Sequence, residues 1–553
     1  MTEAPQPPDA PAARDPTLSE IGDAIRASDL PRAISLAEAA LDQGMEHPTL
    51  LSLRALGREQ AGRLDDALAD LKRARAMAPG RFDLANAMGL CLLHMERPEE
   101  AVVAFDETLK LNPDFAPAWM SRGLALEQTG DLMAARQSHE KAVSLKTDFA
   151  EPMSSLAAIA VRRRDLLGAR RWAERALVIR PDMANALIAL SAVDVAEGRP
   201  AEAERRMRSM LGRGESVGAF DMAHGWGVLG DALDALDRPA EAFAAWRECG
   251  RLTREMHRER FEGEGVQTLP RTLDWMSAWF RRTPDAVWAG PHRSGATTGE
   301  AVHVFLMGFP RSGTTLLEQI LASHPSVVTL EERETLADSA SAYLSDERGL
   351  TRLAAASVAD LEPYRKAYWK RVRASGVDPT GKLFVDKMPL NTIKLPLIAK
   401  LFPQARILFA VRDPRDVVLS AFRHRFRMNA SMYELLSPES AAALYDAVMG
   451  LGMLYSEKLK LRARRHRYED LVRDFDGEVK AVFAFLGLPW RDEVRNFAER
   501  ARAGLSATPS AAQVARGLYR GDGQWKRYAA ELEPVIPVLQ PWIERFGYAE
   551  DKA

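Results

Sequence analysis

Small residues recur every 34 positions through the first half of this chain, at Ala55, Gly89, Gly123, Ala157 and Ser191. An alanine stands twelve residues after each, at Ala67, Ala101, Ala135, Ala169 and Ala203. Twelve further on come Pro79, Pro113, Thr147 and Pro181, a proline in three of the four cases. Few folds satisfy that pattern. Two small positions per period suit two antiparallel helices that cross closely. The proline stops the second helix, because it lacks an N–H and clashes with the preceding turn. Turn signals lie between the small positions, at Gly62-Arg63, Glu96-Arg97-Pro98, Gly130-Asp131 and Gly198-Arg199-Pro200. Ala33 extends the series backward by one period. Gly230 and Ala242, again twelve apart, extend it forward past a short insertion near Gly214–Ala219. The period predicts six or seven helix pairs over residues 17–256.

This period of 34, with two small positions and a closing proline, resembles the tetratricopeptide (TPR) repeat. The resemblance implies an all-α solenoid whose concave groove holds a peptide or partner protein. A dimerisation or spacer role stays open.

At 553 residues the chain calls for at least two domains. A hydrophobic fraction of 46% and a charged fraction of 27% are those of a soluble globular protein. A net charge of −2 supplies no global pull toward nucleic acid or anionic lipid, so an anion site must be a local patch. Two distant cysteines, Cys91 and Cys249, read as buried small residues and exclude a disulfide framework or a cysteine zinc site. Residues 1–16 are rich in Pro, Ala and Asp without an apolar core. The expectation there is a disordered tail, neither signal peptide nor anchor. No window of about 18 apolar residues occurs, so no membrane span is expected and a cytoplasmic location follows. Residues 257–300 read as a transition, with breakers at Glu262–Gly265 and Thr283–Asp285. Trp275, Trp279, Phe280 and Trp288 there read as packing residues, with substrate stacking as the alternative.

From residue 301 onward the pattern changes. The apolar run Val302–Met307 leads into Gly308-Phe309-Pro310-Arg311-Ser312-Gly313-Thr314-Thr315 and then into Leu316–Leu321. Strand, glycine loop and helix in that order aim backbone N–H groups and a positive helix end at one point, which suits a phosphate or sulfate. The spacing is that of the Walker loop, but Thr314 stands where that loop has its lysine. The missing lysine argues against hydrolysis of a nucleoside triphosphate, and Arg311 instead puts a guanidinium inside the loop. Strand patterns at Lys382–Val385 and Ala405–Val411 alternate with helical ones at Leu395–Leu401, Val417–Arg427, Ala441–Lys460 and Gly477–Leu486. Such alternation predicts a parallel sheet, covered by helices, over 301–553, with ligands at the carboxyl ends of its strands. Residues alone leave three readings: a group-transfer enzyme, a kinase or NTPase with a degenerate Walker loop, and an inactive TPR scaffold that only binds ligand.

The run Pro310–Leu316 resembles the 5'-phosphosulfate loop of sulfotransferases, which use 3'-phosphoadenosine-5'-phosphosulfate (PAPS) as donor. The catalytic half resembles tyrosylprotein sulfotransferases, and the whole resembles bacterial TPR–sulfotransferase fusions. The resemblance implies that Arg311, Ser312, Gly313, Thr314 and Thr315 hold the 5'-phosphosulfate. Val411-Arg412-Asp413-Pro414-Arg415-Asp416-Val417-Val418-Leu419-Ser420 resembles the 3'-phosphate motif, with Arg412 and Ser420 as its ligands. Lys387, in Val385-Asp386-Lys387-Met388-Pro389, stands where the tyrosylprotein enzymes have a catalytic lysine. Glu332, 21 residues after Arg311, takes the place of their catalytic base.

Tyr468 matches a tyrosine near the adenosine. Thr508–Arg516 resembles a late loop that closes over the nucleotide, with Ser510 near the sulfate, Arg516 at a phosphate and Gln513 in the same nucleotide-binding set. The chemistry so implied is transfer of a sulfuryl group to a hydroxyl acceptor without a metal, since Arg and Lys supply the charge. The residues themselves leave alternatives. Lys387 could be a surface lysine at a strand end, Glu332 part of a helix-start acidic cluster, and Glu331 or Asp386 the base. The chain departs from the tyrosylprotein pattern at His424, where those enzymes have a further nucleotide-binding arginine, although Arg423 and Arg425 flank it. Arg333 and Glu334 shift the register of the acceptor side. Protein tyrosine, a saccharide, a lipid and a small molecule all remain possible acceptors.

Overall fold

The computed structural model describes residues 16–288, 302–503, 514, 517–518 and 521–549. Fourteen helices pair into seven hairpins between Pro16 and Glu262. The alanines at 67, 101, 135, 169 and 203 are all fully buried at the helix crossings. The small residue of each first helix has an equally local reason. A Cβ on Gly89 would lie 2.6 Å from the Phe105 ring, and one on Gly123 would lie 2.4 Å from His139. Gly230 faces Trp246 in the same way, at 2.4 Å. In each case the bulky partner follows by sixteen residues, so one helix is cut back where its partner carries a large ring. The turn inside each hairpin also repeats. Gly62, Gly130 and Gly198 are left-handed there, with φ of 74°, 94° and 80°. Ser28, Glu96 and Arg164 take the same place with φ of 58°, 55° and 61°. A side chain in that conformation costs about 1–2 kcal/mol, which glycine avoids.

The chain divides into two compact units, Met1–Val217 and Gly218–Ala553. The first is an all-helical repeat solenoid. The second opens with the seventh hairpin, α1 (Ala219–Ala235) and α2 (Pro239–Glu262). The sequence expectation ends the array at 256 and sets a transition over 257–300. In the structure α2 runs through 256 without a break, and its hairpin packs on the sheet domain. Arg425 donates to Asp231 of α1 at 2.6 Å. The Phe243 and Phe422 rings lie 5.2 Å apart. A Cβ on Gly250 would strike the Leu436 carbonyl oxygen at 2.0 Å, so the two backbones touch there. Trp279, Phe280 and Trp288 are buried, and Phe280 stacks on Trp288 with centroids 5.2 Å apart, so they are packing residues and not a stacking platform. Cys91 and Cys249 are free and buried. Among the described residues, no helix is long and apolar enough to cross a membrane.

Among the described residues, five parallel strands form the sheet, in the order β2-β3-β1-β4-β5. They are β1 (His303–Gly308), β2 (Val327–Glu331), β3 (Leu383–Lys387), β4 (Arg406–Val411) and β5 (Arg462–Arg467). The sequence patterns found β1, β3 and β4 but missed β2 and β5. β2 is a mixed run, Val-Val-Thr-Leu-Glu. β5 reads Arg-Ala-Arg-Arg-His-Arg, which carries no apolar alternation because it is an edge strand with most of its side chains at least partly exposed. Helix α3 (Thr314–Ala322) follows the glycine loop, and α4 (Pro414–Phe422) follows β4. The latter starts three residues before its predicted Val417, because Pro414 fits the first helical position and Asp413 caps it, accepting from the Arg415 N–H at 2.9 Å.

Candidate active site

Every strand delivers a candidate residue at its carboxyl end. Lys387 ends β3, while Glu332, Arg412 and Tyr468 directly follow β2, β4 and β5. Arg311 lies three residues past β1. The register aligns these ends, with Glu331 opposite Lys387, Leu306 opposite Lys387, and Val411 opposite Arg467. A parallel sheet thus collects on one edge residues that lie up to 157 positions apart in the chain, from Arg311 to Tyr468.

The glycine loop has the conformation that its composition demands. Gly313 is left-handed, with φ of 89°, and caps α3. A Cβ there would meet the Tyr468 ring at 2.7 Å. Ser312, Thr314 and Thr315 are buried at the start of α3. Arg311 is also left-handed, with φ of 74°, and so is Glu332, at 44°. Such backbones persist in non-glycine residues where the surroundings impose them, commonly at functional sites.

The guanidinium of Arg311 donates from Nε to Ser420 Oγ at 2.9 Å, which joins the glycine loop to the Arg412–Ser420 run. A small cleft beside it is lined by Arg412, Asp416, Ser420, Arg423, Tyr468 and Gln524. Arg412 sits over the Tyr468 ring, 4.8 Å from its centroid, and donates to the Gly521 carbonyl. Burial, then the like charges of Arg412 and Arg423, lower the pKa of Arg311 to about 9 from its ordinary 12.5, against the opposing pull of Glu332. Three guanidiniums so crowded concentrate positive charge at one point beside the glycine loop.

Asp416, missed at the sequence level, is buried under this cleft. It accepts from the backbone N–H groups of Gly523 and Trp525, each at 2.8 Å, and so pins the segment that covers Arg412. Burial raises its pKa to about 6. Arg415 turns away from the cleft, paired with Asp413 at 2.6 Å and stacked on Trp525. The whole Arg412–Ser420 motif is therefore built into the domain and is no solvated surface loop.

Lys387 is fully buried, which corrects the surface-lysine alternative. Its ammonium lies 2.7 Å from Glu332, 3.3 Å from Glu318 and 3.6 Å from Glu331. Burial works to lower its pKa, but these three carboxylates outweigh it and hold the lysine charged. Glu332 starts no helix, since the next one begins at Ala337, so the helix-start alternative also falls. Its N–H instead donates to the Lys387 carbonyl at 2.8 Å, and its carboxylate stands partly exposed at the rim. Asp386 points the other way, into the core, where it accepts from Tyr368 at 2.7 Å and Thr335 at 2.8 Å. Its bonded oxygen is thus committed to the core, whereas Glu332 stands at the rim. Glu318 was not foreseen. Its only sequence signal is a carboxylate at a position on α3 shared with Leu317 and Leu321 on the buried side.

His424 is absent from the cleft lining, and burial followed by Arg311, Arg425 and Arg423 pushes its pKa well below the ordinary value, so it stays neutral. The cation present at this point is Arg423. Ser510, Gln513 and Arg516 lie outside the described residues. Arg333 is exposed, and Glu334 pairs with Lys394 at 2.5 Å.

Residues 303–492 match the model of the Sulfotransferase family, and residues 22–82, 59–124 and 116–149 match tetratricopeptide repeat models. In this chain, a stretch similar to tetratricopeptide repeats thus precedes a stretch similar to the Sulfotransferase family. An uncharacterized protein of Aquifex aeolicus (strain VF5) is 27% identical over 265 residues, which is 45% of this chain and 33% of that protein. Protein-tyrosine sulfotransferase 1 of Danio rerio is 27% identical over 261 residues, 44% of this chain and 72% of its own length. Protein-tyrosine sulfotransferase 2 of Gallus gallus is 28% identical over 204 residues, 35% and 54% respectively. The chain thus spans a third of the first relative and about half of the third.

Proposed function

We propose that the second unit transfers a sulfuryl group from PAPS to a hydroxyl acceptor and that the repeat array recruits a protein or the substrate itself. The observation that carries this reading is the cluster of Arg311, Arg412 and Arg423 beside Ser420, at the mouth of a lysine-free glycine loop. A donor with phosphates at both 3' and 5' positions matches that charge better than a simple nucleotide does. On this reading Arg311 and the N–H groups of Ser312–Thr315 bind the 5'-phosphosulfate, Arg412 and Ser420 bind the 3'-phosphate, and Tyr468 packs near the adenosine.

The donor supplies an electrophilic sulfur with a phosphate leaving group. Glu332 takes the proton from the acceptor hydroxyl, and Lys387, held against it, offsets charge on the departing oxygen. Positioning and charge stabilisation carry such a transfer, as in phosphoryl transfer, and the reading calls for no metal. Ser510, Gln513 and Arg516 belong to the proposed donor set as a closing loop. The protein-tyrosine sulfotransferases among the relatives favour a tyrosyl hydroxyl as acceptor. Two free, buried cysteines suit a cytoplasmic location.

Calorimetry in the presence of a chelator tests the donor. Adenosine 3',5'-bisphosphate should bind far more tightly than AMP or ATP. Equal affinity for AMP, or strict dependence on magnesium, would defeat the reading. Transfer of radiolabelled sulfur from PAPS to a lysate of the source cell then identifies the acceptor.

A further inference from the structure

Arg423 follows α4 directly and lines the same cleft as Arg412 and Ser420. Its guanidinium is held from two sides. One nitrogen donates to Gln524 Oε1 at 2.9 Å, and another lies 3.7 Å from Asp234 Oδ2. Asp234 belongs to the last turn of α1, in the hairpin that continues the repeat pattern. The same carboxylate accepts from the Tyr528 hydroxyl at 2.6 Å and from Arg527 at 2.8 Å. Tyr528 closes the short helix Gln524–Tyr528, whose first residue is Arg423's other partner. Behind this contact Trp246 of α2 lies 5.7 Å from the Tyr528 ring and 6.0 Å from the Arg423 guanidinium. One carboxylate of the hairpin therefore fixes both a cleft cation and the segment that faces it.

We propose that Asp234 is a positioning residue of the donor cleft, so that Arg423 acts as a third phosphate-binding cation and the hairpin α1–α2 is part of the nucleotide-binding machinery. The proposal rests on the donor reading above. A guanidinium has five N–H groups in a rigid fork, so an arginine held through one N–H on each of two nitrogens keeps others for the phosphate. Held in place beforehand, it loses little freedom on binding. His424, neutral beside it, cannot serve in that role. The hairpin is then needed for donor recognition as well as for packing.

The test is calorimetry on the full chain with two probes, adenosine 3',5'-bisphosphate and AMP. Asp234→Asn should weaken the bisphosphate about tenfold, the equivalent of one charge-assisted contact, and leave AMP nearly unchanged. Asp234→Glu should recover part of the loss. Tyr528→Phe, which removes one hydroxyl, should shift the bisphosphate in the same direction by a smaller factor. Equal losses for both probes would reduce Asp234 to a structural residue and overturn the proposal. Unchanged or tighter bisphosphate binding in Asp234→Asn, with normal binding by the wild type, overturns this inference alone. No bisphosphate binding by the wild type overturns the donor reading along with it.

Discussion

Replacing Glu318 by glutamine should change how the stability of the sheet domain depends on pH. Glu318 sits on α3, 1% exposed, with Lys387 of β3 at 3.3 Å and with Glu331 and Glu332, at and just past the end of β2, also acting on it. Burial raises its pKa to about 7 from an ordinary 4.5, against the pull of Lys387. Between those two values the folded state binds a proton that the unfolded state has released. Stability from this group is therefore complete below about pH 4.5 and is lost as pH rises toward 7. The gap of about 2.5 pH units, at about 1.4 kcal/mol each, amounts to on the order of 3 kcal/mol.

Glutamine cannot ionise, so Glu318→Gln should gain stability relative to wild type by about 1–3 kcal/mol between pH 4.5 and 8. Taking the difference cancels groups common to both chains, such as Asp386 and Asp416. Native-state hydrogen exchange of the β1 and β3 amides, compared between the two chains at each pH, reads that difference for this domain alone. A flat difference across the range, or a relative loss at pH 8, would refute the argument and show that Lys387 keeps Glu318 ionised throughout.

Glu332→Gln should lower sulfuryl transfer by about 10²–10⁴ while leaving bisphosphate affinity nearly unchanged, because the side chain stands at the rim and not in the cleft lined by Arg412 and Ser420; near-normal turnover in a steady-state assay would move the base to Glu331. Arg412→Ala should weaken bisphosphate binding by about 1.5–3 kcal/mol in calorimetry, the worth of a charge-assisted contact. A chain beginning at Gly218 should fold and bind nucleotide, whereas one beginning at Gly265 should not, because it uncovers the faces that Phe243 and Trp246 bury; soluble, cooperative unfolding of the shorter chain would contradict this. Glu96→Gly should stabilise the first unit by about 0.5–1 kcal/mol in thermal melts, because relief of the left-handed strain exceeds the added chain entropy of glycine; Gly198→Ala should do the reverse.

Local requirements were legible in the sequence, because each leaves its mark at a short, fixed spacing. The helix crossing needs small residues at one period, the hairpin turn needs a left-handed residue, and the glycine loop needs Gly313 in a left-handed cap with φ of 89°. These spacings were enough to assign a repeat solenoid and a parallel-sheet domain, and to single out the arginines that the sheet gathers at one edge. The partners of those residues were not legible. Glu318 reaches Lys387 from 69 positions away, Asp416 pins a segment more than a hundred residues on, and Asp234 meets Arg423 across 189. A carboxylate at such a position looks like any other charge on a helix until the sheet brings its partner within 4 Å, since an ion pair depends on distance in space and sets no spacing along the chain. Strand β5 escaped for a related reason. Its residues are chosen by a half-exposed edge and by contacts with Glu478 and Tyr548, so the alternation that marks a buried strand never formed. Tertiary packing alone decided which charges face the cleft, which are neutralised behind it, and that the seventh hairpin is built onto the wall of the sheet domain.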